Sequence, residues 1–159
     1  MKSPPFLNRM LGRRPTVAAM TLDEAREVVA PWYALFKVAT RGDVGEVHEQ
    51  VLTEDYKSCS GYLPSECWGR ETSINVISNF ANTLPDMCFT IHEILTAGNR
   101  VVVRGEASAT PSGALFGVPH FGKSFRTMAI DIQVVRDRKI SEAFHMENWL
   151  SALNQLRST

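Results

Sequence analysis

Two side chains in the C-terminal half are placed to move protons. Asp131 lies in the middle of an apolar run, MAIDIQVV from Met128 to Val135. A carboxylate in such a run faces solvent, is paired, or occupies a pocket where desolvation raises its pKa and makes it a usable general acid or base. Strand alternation groups Asp131 with Ala129, Gln133 and Val135 on one face, and Met128, Ile130, Ile132 and Val134 on the other. On polarity alone, the aspartate face is the solvated one. His145, in AFHMENW, has apolar neighbours, and its simplest reading is a histidine satisfied by backbone or by Glu147.

The turn Asp137-Arg138-Lys139 separates the two runs. Counted from a turn centred on Arg138, Asp131 and His145 are each seven residues away, and directly opposed residues of an antiparallel pair point to the same face. The spacing therefore predicts a carboxylate and an imidazole facing one cavity at cross-strand distance, while a one-residue slip in register would part them. His120, between Pro119 and Phe121, is a third acid/base candidate, against the plainer reading of an exposed loop histidine. Tyr33, Phe36, Tyr56, Trp68 and Phe80 are candidate pocket walls, although each taken singly reads as core.

These residues need elements to position them. Thr21-Leu-Asp-Glu24 reads as a capping box opening a helix. Ala25, Val28, Val29, Trp32, Tyr33 and Phe36 recur on one face of it, with Pro31 kinking or restarting it. A short helix follows Asp43, burying Val44, Val47 and Val51, and Asp55 to Tyr62 reads as a first strand. Arg70 to Leu84 is a third helix, with Ile74, Ile77, Phe80, Ala81 and Leu84 at helical spacing and Pro85 closing it. Strands then run from Met87 to Ala97 and Arg100 to Thr110 around Gly98-Asn99, and from Phe125 to Arg136 and Ile140 to Met146. Asn148 caps a last helix that buries Trp149, Leu153 and Leu156. Helices first and antiparallel strands after them are an α+β signature.

Composition narrows the function classes. The 159 residues are 44% apolar and 21% charged, which fits one soluble domain over residues 21–159. The 17 basic residues balance 17 acidic ones, which argues against a nucleic-acid binder. Residues 1–20 hold Lys2, Arg9, Arg13 and Arg14 with no acid, and read as a flexible basic tail. No apolar run approaches the roughly 20 residues needed to span a bilayer, so no membrane partner is expected. Cys59, Cys67 and Cys88 make no CxxC and no zinc spacing; they read as free thiols in a reducing compartment, the cytoplasm, with no metal site. Gly113, Gly117 and Gly122 form no dinucleotide or phosphate loop, and neither a Ser-His-Asp order nor a Gly-x-Ser-x-Gly elbow occurs, so no cofactor is expected.

RVVVRGEASAT (Arg100 to Thr110), GALFGVPHFGKSF (Gly113 to Phe125), AIDIQVVRDRKI (Ala129 to Ile140) and EAFHMENW (Glu142 to Trp149) resemble the SnoaL-like polyketide cyclases of the NTF2-like superfamily. The layout upstream follows the same plan, so the resemblance covers about Thr21 to Leu156. It implies an α+β cone, a curved antiparallel sheet wrapped around N-terminal helices with an internal apolar pocket. It also implies that Asp131 is the acid/base residue, that the loop of His120 rims the pocket, and that a partner subunit covers the sheet's apolar outer face. The implied activity is cofactor-independent cyclisation or isomerisation of a hydrophobic, polyketide-like or cyclic carbonyl compound by a homodimer or higher oligomer. The same cone serves epoxide hydrolases and non-catalytic small-molecule binding or oligomerisation modules, so function rests on the pocket's polar residues. One departure bears on that: Pro111-Ser112-Gly113 stands where many relatives carry His-Thr-Gly, so an imidazole available to them is absent.

Overall fold

The computed structural model describes residues 19–119 and 121–157. The basic tail at residues 1–18 lies outside the described residues, as does His120. Order is already present before Thr21, because the Met20 N–H donates to the Gly98 carbonyl at 3.0 Å.

Helix α1 spans Leu22–Ala34 and opens on the expected capping box, with the Glu24 N–H donating to Thr21 Oγ1 at 3.2 Å and the Thr21 N–H to Glu24 Oε2 at 2.8 Å. It runs through Pro31 as one helix and does not restart there. Its face of Ala25, Val28, Val29, Trp32 and Tyr33 is buried, each large side chain contributing about 1.5–3 kcal/mol on burial. Helix α2 (Val44–Val51) is capped by Asp43 and buries His48, with Val47 only half-buried. The chain passes directly from α2 into strand β1, Leu52–Cys59, rather than Asp55 to Tyr62, because Val51 and Leu52 are both core residues. Strand β2 is short (Cys67–Gly69), and helix α3 follows (Arg70–Thr83). Strands β3 (Cys88–Ala97), β4 (Arg100–Ala109), β5 (Phe125–Arg136) and β6 (Lys139–Glu147) lead to helix α4 (Trp149–Arg157). Asn148 Oδ1 caps α4 by accepting from the Ser151 N–H at 3.1 Å.

The six strands form one sheet in the order β2-β1-β6-β5-β4-β3. All neighbours are antiparallel except β1 and β6, which run parallel. That crossover lets α1, α2 and α3 lie together against one face of the sheet.

Two expectations need correction. The first concerns the cysteines: β1 and β2 place Cys59 opposite Cys67 at a Cα–Cα distance of 4.1 Å, and the two form a disulfide, leaving Cys88 as the free thiol. The return between the strands is no two-residue hairpin but a loop that turns through Pro64–Glu66, with the Ser60 N–H donating to the Glu66 carbonyl at 3.0 Å, so the spacing of the cysteines did not show them opposed. The second concerns the β5–β6 turn. Asp137 and Arg138 form a two-residue tip, with φ of 51° and 58°, and Lys139 already pairs with Arg136. Ser141 is an extra residue between the pairs Val135↔Ile140 and Val134↔Glu142, a β-bulge whose hydroxyl donates to the Val134 carbonyl at 3.1 Å.

Candidate active site

The bulge sets the site. With it, the register reads Asp131↔His145; continued from the tip without it, Asp131 would oppose Phe144. The opposed pair expected from seven-residue spacing is therefore present, reached by a shorter turn plus a bulge rather than by a longer turn.

Polarity alone misassigns the face. Asp131 is buried, together with Thr127, Ala129 and Gln133, whereas Met128, Ile130 and Ile132 are exposed. Helices α1 and α3 cover the aspartate face, and between them and the sheet lies a cavity of about 680 Å³. Asp131, His145, Gln133 and Glu147 reach it from the sheet, and Tyr33, Phe36, Tyr56, Trp68 and Phe80 all line it. Among the described residues, no lysine or arginine does.

The polar groups form two linked sets. In the first, Gln133 Nε2 donates to the Tyr33 hydroxyl at 2.9 Å, and that hydroxyl donates to Asp131 Oδ2 at 2.5 Å. Burial drives the Asp131 pKa up to about 6; Glu147 adds to the rise, while the Tyr33 hydrogen bond and His145 moderate it. Burial, then the adjacent Asp131 charge, holds the Tyr33 phenol well above its ordinary range, so it stays a donor. In the second set, His145 Nδ1 is 2.9 Å from Glu147 Oε1, and the Trp149 indole N–H donates to Glu147 Oε2 at 3.2 Å. Burial opposes charge on His145, but the Glu147 hydrogen bond and the charges of Glu147 and Asp131 outweigh it, and its pKa is raised. The imidazole thus bonds Glu147 rather than Asp131, and Trp68 packs beside it with ring centroids 6.4 Å apart.

Deeper in the wall, two buried polar atoms have no hydrogen-bond partner, the Tyr56 hydroxyl and Gln133 Oε1. Burial pushes Tyr56 up to about 12; Ser58 lies beside it and eases this, without reaching good hydrogen-bond geometry. His48, behind the wall, is held neutral by burial, with Nδ1 2.7 Å from the Val44 carbonyl and Nε2 3.2 Å from Ser73 Oγ.

Sequence reasoning placed Tyr33 as wall and missed that it holds Asp131. The i,i+4 spacing of buried positions on α1 points Tyr33 at the sheet, but not at one residue of it. Glu147 and Trp149 were legible as neighbours of His145 and were read only as its satisfaction and as core. Among the described residues, no group of His, Cys, Asp and Glu is arranged to hold a metal ion.

A curved, unclosed six-stranded sheet with helices packed against it is the ketosteroid isomerase-like, NTF2-like fold. Within that class the chain belongs to the SnoaL-like polyketide cyclase family, whose profile matches residues 27–156. Among solved structures it is similar to IdmH, a candidate polyketide cyclase from Streptomyces antibioticus (26% identity, TM-score 0.71, covering 84% of this chain and 99% of that one). It is also similar to AclR, a candidate hydroxylase from Streptomyces galilaeus (18%, TM-score 0.69, 86% and 82%). A third is a protein of ketosteroid isomerase-like fold from Catenulispora acidiphila in complex with trimethylamine (16%, TM-score 0.65, 81% and 91%). The last two likenesses speak for fold alone. No curated protein matches the chain.

Proposed function

We propose that this protein is a cofactor-independent enzyme that moves a proton at a carbon next to a carbonyl in an uncharged, ring-bearing substrate, as in an intramolecular aldol cyclisation or an isomerisation. The observation that carries this is Asp131: a carboxylate with a pKa near 6, buried in an apolar cavity, with Oδ2 fixed by Tyr33 and, among the described residues, no hydrogen bond on Oδ1. A base matched to neutral pH and held in one orientation is what carbon deprotonation requires. Oδ1 takes the proton; the negative charge that develops on the carbonyl oxygen is stabilised by His145, whose Nε2 has no hydrogen-bond partner among the described residues while Glu147 holds Nδ1. Protonation of the new alkoxide, or of the rearranged carbon, returns the proton from Asp131. The enzyme works as a homodimer on a small hydrophobic molecule.

Deuterium exchange at the α-carbons of uncharged polycyclic ketones, followed by NMR, tests this without the natural substrate. Wild-type protein should catalyse exchange, and Asp131→Asn should lower it about 10³-fold with the fold intact. Equal exchange by the variant sinks the mechanism.

The hydrolytic alternative on this cone uses two carboxylates bridged by arginine. Here the second carboxylate, Glu147, is bonded by His145, which does not reach Asp131, and among the described residues no arginine lines the cavity. Incorporation of labelled solvent oxygen into product would favour hydrolysis, and a tight ligand recovered unchanged would favour a binding module.

A further inference from the structure

The loop between β4 and β5 holds an aromatic residue in a backbone conformation that such residues avoid. Leu115 and Val118 exchange both backbone hydrogen bonds, each 2.9 Å, around a two-residue tip of Phe116 and Gly117. Phe116 takes φ 48° and Gly117 φ 77°. Positive φ at both positions selects glycine, asparagine or aspartate on local grounds. For phenylalanine the left-handed region brings Cβ against the following carbonyl.

The fold recovers little of that strain by burying the ring, since Phe116 is 67% exposed. Backbone strain of this kind is found at positions that clamp ligands. The ring stands at the cavity, edge-on to Trp149 with centroids 5.3 Å apart. Trp149 holds Glu147 and Glu147 holds His145, so Phe116 is the outer end of a contact chain that reaches the acid/base residues.

We propose that Phe116 is a specificity-determining residue that closes on a flat, uncharged aromatic or polycyclic ligand in the cavity. The ring-bearing class of ligand rests on the proposed carbonyl chemistry; the grip by Phe116 does not. Lack of charge follows from the cavity's polar set, where two carboxylates face one imidazole and, among the described residues, no lysine or arginine is present to hold an anion.

The chain's three tryptophans, Trp32, Trp68 and Trp149, all line the cavity, so their fluorescence reports its occupancy. The uncharged fluorophore N-phenyl-1-naphthylamine is titrated into wild type, Phe116→Asn and Phe116→Tyr. Asparagine suits the left-handed tip but offers no ring, so Phe116→Asn should bind the probe about ten-fold more weakly while its Tm equals or exceeds that of wild type. Phe116→Tyr should restore binding. Unchanged affinity in Phe116→Asn overturns the proposal, as does a Tm that falls together with affinity, which would make the ring structural. Failure of wild type to bind the probe overturns the ligand class. Absence of ketone exchange with the probe results intact would count against the catalytic reading and leave the grip standing.

Discussion

Tyr33 is the residue through which the helices control the acidity of the sheet's carboxylate. Its hydroxyl accepts from Gln133 and donates to Asp131, so it favours the ionised form of an aspartate that burial drives toward neutrality. In Tyr33→Phe that restraint is gone and the Asp131 pKa should rise above its value of about 6. A reaction that needs ionised Asp131 gains rate as pH climbs through that pKa, so the acid limb of the pH–rate profile should move to higher pH in the variant. The plateau above it should be less affected, and the unpaired Gln133 amide should cost about 1 kcal/mol of stability. An unmoved limb measured by ketone exchange would show that Tyr33 does not hold the reacting carboxylate. Of this arrangement, the sequence made Asp131 and its facing histidine legible by turn counting. The aspartate–tyrosine contact joins residues 98 apart in sequence, and no local pattern encodes which helix face meets which strand position.

Elements were legible where periodicity was strong, and their junctions were not. The helix over Arg70 and beyond and the four long strands follow from spacing and turn residues. The β1–β2 return does not, because it is a longer loop that turns through a 3₁₀ turn at Pro64–Glu66 rather than a two-residue hairpin. The same limit hid the Ser141 bulge, which changes the tip and restores the register of the active pair. The disulfide belongs to this scale: it staples an edge strand of three residues that carries Trp68 against His145. Protein alkylated at lysis without reductant should show one reactive thiol, Cys88, and three after denaturing reduction. Cys59→Ser/Cys67→Ser should lose about 2.5 kcal/mol, the loop-closure value for so short a ring. Three thiols without reductant would remove the staple; the expected single thiol would instead remove the ground for a cytoplasmic location, since such bonds are rare there.

At the scale of the whole molecule, the sheet has two faces with different tasks, and the one that polarity alone assigns to the core is the one turned outward. Met128, Ile130 and Ile132 of β5 and Phe144 and Met146 of β6 are exposed on it, in rows fixed by the pairs Ile130↔Met146 and Ile132↔Phe144. Beside them runs a ladder of ion pairs, Arg104 with Glu93 and Arg126 with Glu106. Acid and base are balanced in that border, so a second copy turned by a two-fold axis meets apolar with apolar and finds charges it can match. A contiguous apolar patch framed by polar residues is also what solvent-exposed monomers avoid. The proposed homodimer should sediment at twice 17.7 kDa, and Ile130→Arg, which sets a cation at the patch centre, should sediment as a monomer. Because Ile130 points away from the cavity, probe binding in the variant should persist if the monomer is folded. Should the variant stay dimeric, the interface lies elsewhere. Should wild type sediment as a monomer at micromolar concentration, the outer face needs another occupant, and the cavity's floor strands would have to hold their curvature without a second sheet behind them.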